Sequence, residues 1–127
     1  MDTILTLDCK GQAETFEREW DLREVLRGRP FQSAEIVGLS LSQESQRPGA
    51  TEFVKEGNVQ VLVNGQHLLA KPLSELGREL FELENPLHAL PFERIGMRVE
   101  SHVGMGTVKG VVSGVNVSLH IRPVEPS

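Results

Sequence analysis

At 127 residues and 14.1 kDa, with 39% apolar and 24% charged residues, the chain has the size and composition of one globular domain, which excludes wholesale disorder and a second independent core. Thirteen Lys and Arg against eighteen Asp and Glu give a net charge of −5, so the global basic excess that draws a protein to phosphate backbones is absent. The single cysteine, Cys9, excludes an internal disulfide framework and every Cys-x-x-Cys metal or redox pair, and fits a reducing compartment.

The opening residues, Met1-Asp2-Thr3-Ile4, have neither the basic segment nor the apolar run of a secretory signal, and no stretch reaches the roughly 18 apolar residues of a membrane span. The expected location is therefore the cytoplasm, away from membranes, where the Asn-x-Ser pattern at Asn116 is a chance match. Thr3 to Leu7 mix β-branched and apolar side chains ahead of Asp8-Cys9-Lys10-Gly11, which predicts a first strand ending in a turn. Asp21 and Glu24 have the spacing of a capping box, in which Asp21 accepts from the amide of Glu24 and Glu24 reaches back. Trp20 and Val25 flank it as a hydrophobic staple, and Gly28 supplies a left-handed stop, so a short helix is predicted over Leu22 to Arg27. Phe16 is expected to extend that helix backwards or to pack beside it.

Val37, Leu39 and Leu41 alternate with Gly38 and Ser40, the period of a half-buried strand within Ser33 to Leu41. Ser42 to Ala50 has nothing to bury and contains Pro48-Gly49, which reads as a surface loop. Val59, Val61 and Val63 alternate before Asn64-Gly65, the pair that best tolerates the two positive φ angles of a tight turn, so a hairpin is predicted over 58–70. Pro72 suits a first helical turn, and Leu73, Leu76, Leu80 and Leu83 recur at three- and four-residue steps, predicting a second helix closed by Asn85-Pro86. Leu87 to Ile95 then reads as a connector, with a subdomain boundary near Pro91.

From Gly96 onward the period of two returns at Met97 and Val99, then Val108 and Val112, then Val115, Val117, Leu119 and Ile121. The polar residues between the last four, Asn116, Ser118, His120 and Arg122, are predicted to line the opposite face. Ser113-Gly114 is expected to be a hairpin turn, and Gly104-Met105-Gly106 a sharp corner. As an edge, Val115 to Ile121 has the character to pair with a second copy of the chain.

Gly96-Met97-Arg98-Val99 followed by His102-Val103-Gly104-Met105-Gly106-Thr107-Val108 resembles the opening of SH3-like small barrels, particularly the Tudor or KOW-like tails of bacterial superfamily 1 helicases. The similarity covers about 30 residues and rests on glycines and valines. It implies a small barrel over 96–122 that docks on proteins or nucleic acids. No aromatic residue follows Phe92, which departs from an aromatic cage or a base-stacking platform.

Candidate chemistry is sparse. His67, His88, His102 and His120 are never three or four residues apart, so a metal site requires convergence through folding. Cys9 has only Asp8 and Lys10 beside it to activate a thiolate. No Gly-x-Ser-x-Gly elbow marks a nucleophilic serine, and Glu75, Glu79, Glu82 and Glu84 read as a solvated face. Gly104-x-Gly106 lacks the third glycine and the lysine of a phosphate cradle, so no cofactor is expected. Arg23-x-x-x-Arg27, followed by Gly38-Leu39-Ser40-Leu41-Ser42, loosely resembles the PilZ cyclic dinucleotide binders, whose paired guanidiniums clamp phosphates. Here Gly38 stands where an aspartate belongs and Gln43 where a glycine belongs.

The residues thus predict a single mainly β domain over 1–127, an SH3-like barrel or curled antiparallel sheets with two short helices, the second covering one open end. The expected function is that of a non-enzymatic adaptor, a bacterial or phage accessory protein docking on a larger protein. Its contact residues are expected to be His102, Met105, Asn116, Ser118, His120 and Arg122. The alternative is nucleic-acid or nucleotide binding through the strip from Arg18 to Arg29, with Arg23, Arg27 and Arg29 on phosphate.

Overall fold

A computed structural model describes residues 3–10, 15–45, 57–77, 79–100 and 112–126. The protein is mainly β and consists of two four-stranded antiparallel sheets. In chain order the strands are β1 (Thr3–Lys10), β2 (Thr15–Asp21), β3 (Ser33–Ser45), β4 (Asn58–Val63), β5 (Gln66–Pro72), β6 (Phe81–Ala89), β7 (Arg94–Glu100) and β8 (Val112–Val124). A single-turn helix α1 (Leu22–Val25) follows β2, and one turn of 3-10 helix (Leu73–Glu75) follows β5. Sheet A has the order β1-β8-β3-β6 and sheet B the order β2-β7-β4-β5. The barrel is not closed: among the described residues the strands form two separate sheets.

The period of two explains which face each strand buries. In sheet A, Leu5 and Leu7 of β1, Val117, Leu119 and Ile121 of β8, and Ile36, Leu39 and Leu41 of β3 are buried. In sheet B, Val59, Val61 and Val63 oppose Val99, Met97 and Ile95 in register, and all six are buried. Both sets belong to one apolar cluster, so the sheets pack face to face around a shared interior. The helical turns sit at opposite ends of sheet B. Leu22 and Leu26 close the end where Trp20, Ile95 and Val63 lie in register, while Leu73 closes the end where Pro72 pairs with Asn58.

Several expectations hold. The 58–70 hairpin turns at Asn64 (φ 54°) and Gly65 (φ 83°), the two positive values that an Asn-Gly turn supplies most readily. Gly28 has a left-handed φ of 82°, but it stands two residues beyond the C-cap Leu26 and is not what ends α1. Asp21 caps the helix, although its Oδ1 accepts from the amide of Arg23 at 2.9 Å and not from that of Glu24, and α1 ends at Val25.

Other expectations are corrected. No helix runs from Leu73 to Leu83: after the 3-10 turn the chain becomes β6, where Phe81, Glu82, Leu83 and Glu84 alternate between half-buried and exposed. The leucine spacing that fits a helix coexists with this shorter period, and pairing of Phe81 with Leu39 decides between them. Asn85-Pro86 therefore lies inside a strand. Pro86 is accommodated because β6 is an edge and because its register with β3 shifts between Leu87, opposite Ile36, and Glu82, opposite Gly38. Phe16 belongs to β2 and so does not extend α1 backwards; it packs against the apolar cluster that includes Leu22 and Leu26. The predicted turn at Asp8 is strand, since β1 continues to Lys10 and points Cys9 inward. Ser42 to Ser45 extend β3 against β8, and the rest of that predicted loop lies outside the described residues.

Ser113-Gly114 is not a turn: Gly114 pairs with both Lys10 and Glu44, inside β8. Nor is Val115 to Ile121 an edge, because β8 lies between β1 and β3. β7 and β8, the strands of the predicted C-terminal barrel, join different sheets. The glycine corner at 104–106 lies outside the described residues. Among the described residues no helix is long and apolar enough to cross a membrane.

Candidate functional site

Burial of one side of β8 forces its other side outward, and the same alternation operates in β1 and β3 on either side of it. The three strands in register form a small grid on the outer face of sheet A. Ile4, His120 and Gly38 make one row, Thr6, Ser118 and Ser40 the next, and Asp8, Asn116 and Ser42 the third. Two hydrogen bonds tie the grid together across strands. Thr6 Oγ1 and Ser118 Oγ share one at 3.1 Å, and Ser40 Oγ and His120 Nε2 share the other at 3.0 Å. A fourth row brings His88, Glu35 and Arg122 into register, with Glu35 in the middle.

Four of the six sequence-predicted contact residues, Asn116, Ser118, His120 and Arg122, thus stand in one column on the outer face of a central strand. His102 and Met105 lie outside the described residues. Sequence reading missed the flanking members Thr6, Asp8, Ser40 and Ser42. Their signal was present as polar residues at alternate positions of β1 and β3, but assigning them to β8 required the pairing. Asn116 Oδ1 is shielded from solvent and accepts no hydrogen bond among the described residues. An orphaned acceptor of this kind costs about 1–3 kcal/mol.

Ser40 and His120 have the separation of a nucleophile and its base. Catalysis also needs a group orienting the imidazole and donors for an oxyanion. The other candidate nucleophile, Cys9, is fully buried between β1 and β8. Burial, reinforced by the negative charge of Asp8, pushes its thiol up to about 12. The neutral thiol is therefore the native form. Since ionisation becomes available first to the unfolded chain, Cys9 stabilises the fold fully below the ordinary thiol value of 9.0, and its contribution is lost as pH rises from there toward 12. Iodoacetamide at pH 8 is expected to leave the native thiol unmodified and to label it only as urea unfolds the chain. Rapid labelling without denaturant would contradict this burial. Among the described residues no three His, Cys, Asp or Glu side chains gather as metal ligands.

The arginines are divided in their roles. The Arg18 guanidinium lies 5.2 Å from the centre of the Trp20 ring, and Arg29 donates to Thr3 Oγ1 at 3.0 Å. Arg23 and Arg27 are exposed on and just beyond α1. In the PilZ-like pattern, position 38 has no room for the expected aspartate. A Cβ at Gly38 would lie 2.5 Å from the Phe81 carbonyl oxygen and 2.6 Å from Leu80 Cδ1. The four glutamates of residues 75–84 are exposed, as a solvated face requires.

No protein-family model matches the chain, and no curated protein matches it.

Proposed function

We propose that the protein is a non-enzymatic protein-binding module that docks on a larger protein through the outer face of sheet A. The observation that carries this reading is the cross-linked polar grid of Thr6, Ser118, Ser40 and His120, backed by a completely buried aliphatic row. Side chains already held by one another lose little freedom on binding, which is how a flat polar face gains affinity without a pocket. Ile4, 54% exposed, supplies an apolar contact at the rim.

Photo-crosslinking tests the reading. Placing p-benzoylphenylalanine at Ile4 in cells of the source is expected to give one dominant protein adduct, and His120→Glu in the same chain is expected to abolish it. Glu17, on the opposite sheet, is the control position and is expected to give no such adduct. Absence of an adduct at Ile4, or the same adduct from Glu17, would reject docking through this face.

The alternative, phosphate contact by Arg23, Arg27 and Arg29, is supported by the exposure of the first two. It loses support from the engagement of Arg29 with Thr3 and from the missing space at Gly38. Contact with a nucleic-acid backbone strengthens as salt falls, so lack of DNA and RNA binding at low ionic strength would end it.

A further inference from the structure

The asparagines of the chain are Asn58, Asn64, Asn85 and Asn116, and their backbone settings differ. Asn58 opens β4, where β7 and β5 pair with it on both sides, and its Oδ1 accepts from Gln60 Nε2 at 3.1 Å. Asn116 is held in the same way inside β8, between β1 and β3. Asn85 lies in β6 and precedes Pro86, which has no N–H. Asn64 is the asparagine that stands in a turn and precedes a glycine.

That turn exposes both of its residues, Asn64 at φ 54° and Gly65 at φ 83°. Gly65 has no Cβ to screen its nitrogen from attack on a neighbouring carbon. Among the described residues no acceptor takes the Gly65 N–H, and no group binds the Asn64 carboxamide. The tip is also held by little. The register of β4 with β5 breaks between Val61 and Leu62, so beyond the break the tip keeps the pairs Leu62 with His67 and Val63 with Gln66. Gln66, His67 and Leu68 are all exposed. Scarce buried contacts and solvent-facing pairs allow a segment to open locally without unfolding the rest. Rotation about the Asn64 Cα–C bond, which strand pairing denies to Asn58 and Asn116, is thereby available here.

We infer that Asn64 is a site of spontaneous modification, at which the side-chain carboxamide is exchanged for a carboxylate through a cyclic imide. The Gly65 nitrogen attacks Asn64 Cγ and the new N–Cγ bond closes the ring. The Cγ–Nδ2 bond breaks, and the former Gly65 amide proton leaves with Nδ2 as ammonia. Water then opens the ring at one of its two carbonyl carbons. Cleavage at Cγ gives aspartate, and cleavage at the main-chain carbon gives isoaspartate, in which the backbone runs through Cβ and Cγ and is one atom longer. A two-residue turn joins these strands because its twist matches theirs, so the longer link undoes the closing pair of Val63 with Gln66. Either product adds one negative charge to a chain already at −5. The inference is independent of the grid on sheet A.

The test holds the whole chain at neutral pH and physiological temperature, beside a blocked peptide of residues 61–68, and follows ammonia release and peptide masses. The expected result is loss of one amide nitrogen per chain, with the mass gain confined to Asn64. The isoaspartate fraction is expected to accept a methyl group from S-adenosylmethionine when an isoaspartyl methyltransferase is added as a probe. Amide exchange at Gln66 is expected to quicken as that fraction grows, while exchange at Leu119 stays unchanged. Asn64→Gly keeps a residue suited to positive φ in the turn and is expected to abolish the ammonia release. An Asn64 still intact when the peptide has reacted completely would overturn the inference, because the folded turn would then protect the site. So would equal conversion at Asn58, undiminished ammonia release from Asn64→Gly, or unaltered exchange at Gln66 in the methylated fraction.

Discussion

Replacing Gly38 with alanine is expected to lower the unfolding free energy by about 2–3 kcal/mol, although the change adds a single methyl group. The added Cβ would sit 2.5 Å from the backbone oxygen of Phe81 and 2.6 Å from Leu80 Cδ1. Leu80 is a side chain and can turn away. Phe81 O belongs to the strand that pairs with β3, so its displacement would push β6 from the sheet. Gly96 is the matched control, as another strand glycine with an ordinary φ. A Cβ there would meet Leu62 Cβ at 3.6 Å and Arg18 O at 3.7 Å, which is normal contact. Gly96→Ala is therefore expected to be neutral or to stabilise by up to about 1 kcal/mol, through reduced freedom of the unfolded chain. Urea denaturation of the two variants beside the parent measures both effects. Equal stability of the two would show that β6 does not press on Gly38.

The largest loss from any one side-chain truncation is expected at Leu119. It lies at the centre of sheet A, flanked in register by Leu5 on β1 and Leu39 on β3, and is completely buried. Leu119→Ala removes buried methyl groups from a site held by neighbours on both sides, where collapse around the void is restricted. The expected cost is about 3–4 kcal/mol. His120, one residue away, points to the opposite face. Its outer-row neighbour Ile4 is 54% exposed, so Ile4→Ala is expected to change stability by less than about 0.5 kcal/mol. Urea midpoints again decide the matter, and a large effect at Ile4 with a small one at Leu119 would invert the assignment of faces in sheet A.

These contrasts show where sequence reading succeeded. Val117, Leu119 and Ile121 against Asn116, Ser118 and His120 is a pattern that only a strand with one dry face satisfies, and the structure places it so. The same holds for Val59, Val61 and Val63 before Asn64-Gly65. Failures arose where two periods overlap or where a strand lacks a clean pattern. Leu73, Leu76, Leu80 and Leu83 satisfy a helical step, while Phe81, Glu82, Leu83 and Glu84 satisfy a strand step. A local window has no means of choosing between them. β2 alternates only weakly, because Arg18 shares the inward side with Phe16 and Trp20 and stacks on the Trp20 ring. Ser113-Gly114 has turn-forming residues, yet pairing on both sides keeps that segment extended.

The candidate site was half legible for a related reason. Its central column could be read from β8 alone, since burying one face of a strand commits the other to solvent. The members contributed by Thr6, Ser40 and Ser42 became part of the same surface only through register.

What the sequence determined by itself was the mainly β class, the outward face of the last strand, the Asn64-Gly65 hairpin and the capped turn at Asp21. Each of these depends on contacts within a few residues, or on a period that the chain carries locally. The tertiary structure alone decided that β8 is central, that residues 81–89 form a strand and that β5 stands last in its sheet. Those outcomes depend on which distant strands satisfy one another's backbone hydrogen bonds, a choice made between segments up to about a hundred residues apart and invisible within any one of them.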